Sequence, residues 1–133
     1  MVEITQETLE SLKYDGNGLI PAVVVDAETN EVLMVAYMNK DSLADTVKTG
    51  KTHFWSRSRQ QYWMKGESSG NTQEVQSIHI DCDVDTLVVK VTPAGAACHN
   101  GYRSCFYRKL NDAGEFEVVD ERMFDPDDVY GKK

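Results

Sequence analysis

The stretch Gln73-Glu74-Val75-Gln76-Ser77-Ile78-His79-Ile80-Asp81-Cys82-Asp83-Val84-Asp85-Thr86-Leu87-Val88-Val89-Lys90-Val91 decides how this chain folds. Its first half alternates as a half-buried strand does: Ile78, Ile80 and Cys82 share one parity, opposite to His79 and Asp81. Leu87, Val89 and Val91 then carry the apolar residues on odd positions. In a continuous strand that slip would turn one apolar set toward solvent. It therefore predicts two strands, with a turn or bulge at residues 83–85 between them.

Working outward, residues 5–13 read as a short amphipathic helix, with Leu9 and Leu12 on one side and Thr5 as N-cap. Asp15-Gly16-Asn17-Gly18 is a turn. Residues 20–25 and 31–37 form two strands around a turn at 26–30, a hairpin. Pro21 favours an edge strand or the first position of a strand. Asn39 caps a second helix running to about Lys48, which buries Leu43 and Val47 and ends at Gly50. Residues 52–56 and 61–64 are further strands, the second shorter. Ser56-Arg57-Ser58-Arg59 and Lys65-Gly66-Glu67-Ser68-Ser69-Gly70-Asn71 read as loops. After residue 91, residues 93–97 form a loop, and residues 98–105 are too rich in small and polar side chains for a helix. A last strand is expected at 116–119, with Asp125-Pro126 breaking it. The expected fold is β-rich α+β: a single small domain with a mixed, folded sheet and two short helices.

The chain's 133 residues suit one domain. No apolar run approaches the roughly 20 residues of a membrane helix, and Met1-Val2-Glu3-Ile4-Thr5 lacks the build of a secretory signal. A cytoplasmic location is expected. Of the net charge of −8, residues 111–133 carry −5, with eight acidic and three basic side chains. Residues 46–66 and 86–111 contain no carboxylate, and they hold Lys48, Lys51, Arg57, Arg59, Lys65, Lys90, Arg103, Arg108 and Lys109. An acidic protein with confined basic segments is a poor nucleic-acid binder, because phosphate contacts dominate that affinity. It can still grip a small phosphorylated molecule.

All three cysteines fall in one segment, which begins Asp81-Cys82-Asp83-Val84-Asp85 and ends Cys98-His99-Asn100-Gly101-Tyr102-Arg103-Ser104-Cys105. Soft thiolates suit zinc, whereas clustered carboxylates suit a hard ion such as magnesium. Taken singly, each cysteine is a small buried hydrophobe. Taken together, Cys82, Cys98 and Cys105 make a three-ligand zinc set, which leaves a fourth position for water as catalytic sites do. Three thiolates on a dication leave one net negative charge, so such a zinc needs a second cation or a nearby base. Asp81, Asp83 and Asp85 alternate, which in extended backbone puts them on one face opposite Cys82. Their spacing is not that of an EF-hand, since Thr86 and Thr92 stand where glycine and glutamate are required. His99, directly after Cys98, is a candidate for proton transfer. His53 and His79 are read as strand residues without a role.

The chain resembles the phosphoribosyl-AMP cyclohydrolases, enzymes of histidine biosynthesis. The resemblance is carried by Val32-Leu33-Met34 with Ala36-Tyr37-Met38-Asn39, His53-Phe54-Trp55-Ser56-Arg57-Ser58-Arg59, and Trp63 with Lys65-Gly66-Glu67 and Ser69-Gly70-Asn71. It continues through Asp81-Cys82-Asp83 and Asp85 to Cys98-His99, Gly101 and Ser104-Cys105-Phe106-Tyr107. Residues 1–110 would form that domain, and residues 111–133 an acidic C-terminal tail of it.

The resemblance implies zinc on Cys82, Cys98 and Cys105, and magnesium on Asp81, Asp83 and Asp85. It also implies an intertwined homodimer in which Cys82 reaches the zinc site of the other subunit. The implied reaction is hydrolytic opening of the adenine ring of phosphoribosyl-AMP, without release of ammonia. Water activated at zinc would be the nucleophile, with His99 as base. Arg57, Arg59, Lys65 and Arg103 are candidates for the substrate's phosphates, and Trp55 and Trp63 for stacking on its base. Two alternatives stand beside this reading. A zinc nucleobase deaminase would expel the exocyclic amine, but its His-x-Glu and Pro-Cys-x-x-Cys signature is missing. A non-catalytic nucleotide-binding module would use the metal only as a staple.

Overall fold

Thr5 opens helix α1 (Gln6–Ser11) by accepting a hydrogen bond from the Thr8 amide at 3.1 Å, which satisfies a donor the helix start leaves free. The computed structural model describes residues 3–123. The helix stops short of residue 13 because Leu12 already has extended backbone. Leu9 is buried, and Leu12 packs against the core from its margin.

Strands β1 (Ile20–Asp26) and β2 (Val32–Met38) form the expected antiparallel hairpin. Asn39 and Ser42 then exchange hydrogen bonds, each side chain taking the other's amide at 2.8 and 2.9 Å, to start α2 (Lys40–Thr49). Gly50 ends α2 in the left-handed conformation at φ 76. Next come β3 (His53–Ser56), β4 (Gln61–Met64), β5 (Gln73–Ile80) and β6 (Leu87–Pro93).

These six strands make one sheet in the order β4-β3-β2-β1-β6-β5. β1 is antiparallel to β2 and parallel to β6, so the sheet is mixed. It also curls. Lys51, just before β3, bridges Glu74 on β5, and the Val75 amide donates to the Gly50 carbonyl at 2.7 Å. The core fills the concave side with Ile20, Val24, Leu33, Met38, Leu43, Phe54, Val89 and Val91. Burying each such side chain contributes about 1.5–3 kcal/mol. The small, β-rich α+β domain with a mixed sheet and two helices is as expected.

Three local expectations are refined. β1 is central, so Pro21 does not mark an edge; it sits before the β6 ladder begins at Ala22 and Leu87, where no amide is needed. β5 stops at Ile80, and residues 81–85 form a hydrogen-bonded turn in which Val84 adopts φ 55. A further short hairpin, β7 (Arg108–Leu110) with β8 (Phe116–Val118), forms a separate two-stranded sheet. Only β8 was expected, because Arg108-Lys109-Leu110 is too short and too charged to show alternation. Asp125-Pro126 lies outside the described residues.

Candidate metal and substrate site

The β5–β6 turn is built around one carboxylate. Asp81 Oδ1 accepts from the amides of Asp85 at 2.9 Å and Thr86 at 3.2 Å, while the Val84 amide donates to the Asp81 carbonyl. The turn is tied to the chain after α1 by the Lys13 amide, 2.7 Å from the Val84 carbonyl. This turn, rather than pleated alternation, brings Asp81, Asp83 and Asp85 together, with one ligand oxygen from each within 4.8 Å of the others. The Asp85 amide, with further hydrogen bonds, holds the Asp81 carboxyl below the usual range. Asp85 is pushed up, first by its hydrogen bond with Asp81 and also by the charges of Asp81 and Asp83. Mutual repulsion of this kind is what a hard dication relieves.

Cys98 and Cys105 come together on a second loop. The Ala97 amide bonds the Arg103 carbonyl and the Cys98 amide the Tyr102 carbonyl, at 3.0 and 3.1 Å, which folds the loop back on itself. The Gly101 amide closes the tip onto the Cys98 carbonyl. His99 is exposed on that tip. Past the tip, the Cys105 amide donates to the Leu33 carbonyl on β2 at 2.6 Å, and buried Ser104 bonds the Val32 carbonyl at 2.7 Å. Burial, then the charge and hydrogen bond of Cys98, pushes the Cys105 thiol up to about 11, although Lys65 pulls the other way. Two thiols that penalise each other's ionisation are a donor pair a soft cation fits, because the cation takes the place of their protons.

Cys82 is elsewhere. It is exposed in the turn before β6, whereas the Cys98–Cys105 loop follows the far end of β6. Seven residues of strand separate the two ends by roughly 20 Å. Among the described residues, the three cysteines do not gather within one chain, and the Asp81, Asp83 and Asp85 group is the cluster close enough to hold an ion.

The candidate cations divide by environment. Arg57 and Arg59 are exposed in the β3–β4 turn, with the Arg57 guanidinium 4.0 Å from the centre of the Tyr37 ring. Arg103 pairs with Asp26 and Glu31. Lys65 is buried, and its Nζ donates to the Ala97 carbonyl beside Cys98. Trp55 is half-buried opposite Tyr37, and Trp63 packs on Phe54 against the core.

A sequence model described as phosphoribosyl-AMP cyclohydrolase matches residues 34–107, a span that contains both loops. The chain belongs to the phosphoribosyl-AMP cyclohydrolase family. It is 55% identical over 130 residues to the phosphoribosyl-AMP cyclohydrolase of Chlorobium phaeovibrioides, covering 98% of this chain and 95% of that one. The enzyme of the same name from Pelotomaculum thermopropionicum is 57% identical over 125 residues, covering 94% and 97%. The expected membership of a histidine-biosynthesis hydrolase family therefore holds. Among the described residues no helix is long and apolar enough to cross a membrane.

Sequence reasoning missed several partners of these cyclohydrolase motifs. His53, left without a role, is buried: its Nδ1 lies 2.7 Å from the Tyr62 hydroxyl and its Nε2 3.0 Å from Thr49 Oγ1. Tyr62 in turn donates to Asp45 at 2.6 Å, so His53 Nδ1 carries the proton in that bond. Tyr102 stacks on Tyr107 at 3.7 Å. The ring spacing of such pairs leaves no signal in a single sequence, because each depends on how loops return.

Proposed function

We propose that this chain opens the adenine ring of phosphoribosyl-AMP by hydrolysis, at a zinc site built from two subunits of a homodimer in the cytoplasm. Cys98 and Cys105 of one subunit would hold the ion together with Cys82 of the other. Asp81, Asp83 and Asp85 would hold magnesium. When bound, zinc supplies Lewis acidity that makes water a nucleophile near neutral pH.

The observation that carries this reading is the pairing of Cys98 with Cys105 at one end of β6 while Cys82 lies at the other. A catalytic zinc wants three protein ligands and an open position. A single chain offers two, and a second copy can bring the third. His99, exposed at the tip beside Cys98, would take a proton from the attacking water and return it to the leaving ring nitrogen. Arg57 and Arg59, exposed and free of carboxylate partners among the described residues, are the cations best placed for phosphate. Trp55, on the strand leading to them, can orient the base.

The test is incubation with phosphoribosyl-AMP while ultraviolet absorbance and ammonia are followed together. An absorbance change without ammonia supports ring opening. Ammonia release would point to deamination, and no change to a binding module.

A further inference from the structure

We infer that Lys65 is a positioning residue of the zinc site, its ammonium offsetting the excess negative charge of the sulfur ligands. The inference rests on the zinc reading above. Three thiolates around a dication carry a net charge of minus one, which is costly to bury and makes the metal a weaker Lewis acid. The site therefore needs a cation close to the sulfurs, and the fold supplies one.

Lys65 is only 7% exposed, and an isolated buried ammonium is unfavourable. Its Nζ donates to the carbonyl of Ala97, the residue before Cys98. An ammonium has three donors, and the Ala97 carbonyl takes one of them.

The loop after β4 is shaped to deliver it. The Lys65 amide is fixed to the Thr52 carbonyl at 3.1 Å. Gly66 follows at φ 84, where a Cβ would meet the Thr72 nitrogen at 2.4 Å, so only glycine fits. The Ala94 amide then binds the Thr72 carbonyl at 2.8 Å, and a Cβ on Gly95 would meet Asn71 Oδ1 at 2.3 Å. The Lys65-Gly66-Glu67 and Ser69-Gly70-Asn71 motifs thus brace the segment that leads into Cys98. This gives Lys65 a task other than the phosphate contact expected from sequence, which the exposed Arg57 and Arg59 are better placed to make.

The test measures zinc affinity by competition with a chromophoric chelator, and kcat and KM for phosphoribosyl-AMP at saturating zinc, in the full-length protein. Wild type, Lys65→Met, Lys65→Arg and Cys98→Ser are compared. Lys65→Met should weaken zinc about 10- to 100-fold and lower kcat with KM nearly unchanged. Lys65→Arg, which keeps the charge, should hold zinc within about threefold of wild type. Unchanged zinc affinity in Lys65→Met, or a rise in KM alone, would overturn the inference and return Lys65 to the phosphates. If Lys65→Met does not fold, Lys65→Arg decides: retained affinity supports the charge role, and a tenfold loss overturns it. Zinc retained in Cys98→Ser would instead remove the zinc reading itself, and this inference with it.

Discussion

Arg103 donates from Nε to the Glu31 carboxylate at 2.6 Å while its Nη2 pairs with Asp26, so one guanidinium ties the cysteine loop to the β1–β2 hairpin. Burial raises the Asp26 pKa, but the amides of Glu28 and Thr29 together with Arg103 outweigh it and hold the carboxyl below the usual range. Arg103→Met should destabilise the protein by about 1.5–3 kcal/mol, the usual worth of hydrogen bonds to charged groups. Urea unfolding checks this. The sign with pH follows from a depressed carboxylate: its contribution is complete above the unfolded pKa of about 3.9 and is lost as pH falls through the folded value. Arg103→Met should therefore move acid unfolding to higher pH. A rise in substrate KM with unchanged stability would instead show that Arg103 serves the phosphates.

His53 makes the opposite kind of demand on pH. Burial is the main cause of its lowered pKa, against the charges of Asp45 and Glu67. The folded state then binds fewer protons than the unfolded chain below about pH 6.5. Stability should be full above that pH, fall as pH drops toward the folded pKa, and level off below it. Urea midpoints at pH 7.5 and 5 should show this step in wild type and lose it in His53→Gln.

How much of this was legible depends on how local the signal was. The change of parity between Ile80 and Leu87 is local, and it correctly separates β5 from β6. Asn39 and Gly50 mark α2 because capping acts within one turn. The parallel pairing of β1 with β6 is not local: Val24 and Val89 are 65 positions apart, and nothing in either strand names the other. The carboxylate trio was read rightly as a cluster, but through a pleat it does not have. Lys65 was counted among the cations for the substrate's phosphates because burial of a loop lysine depends on where residues 94–98 return.

The carboxylate cluster should respond to magnesium. A ligand that binds only the folded state stabilises it by about 2.7 kcal/mol at 100 times its dissociation constant. Millimolar magnesium should raise the melting temperature of wild type and leave Asp83→Asn nearly unmoved. Asp83 is the cleaner probe, since Asp81 also holds the Asp85 and Thr86 amides. An equal rise in both proteins would count against the site.

His99 is exposed on the Cys98–Gly101 turn and makes no side-chain hydrogen bond among the described residues. His99→Ala should lower turnover by about 100-fold or more, the usual scale of general acid–base catalysis, with zinc content near wild type. Equal loss of both would make the histidine structural.

The most direct measurement is subunit complementation between Cys82→Ala and Cys98→Ala proteins. Each alone should be nearly free of zinc and inactive. Unfolding the two together and refolding them as a mixture should make about half the dimers mixed, each with one intact site of two, and so restore about a quarter of wild-type zinc and turnover. A mixture that stays as empty and inactive as its parents would contradict a metal centre shared between two chains.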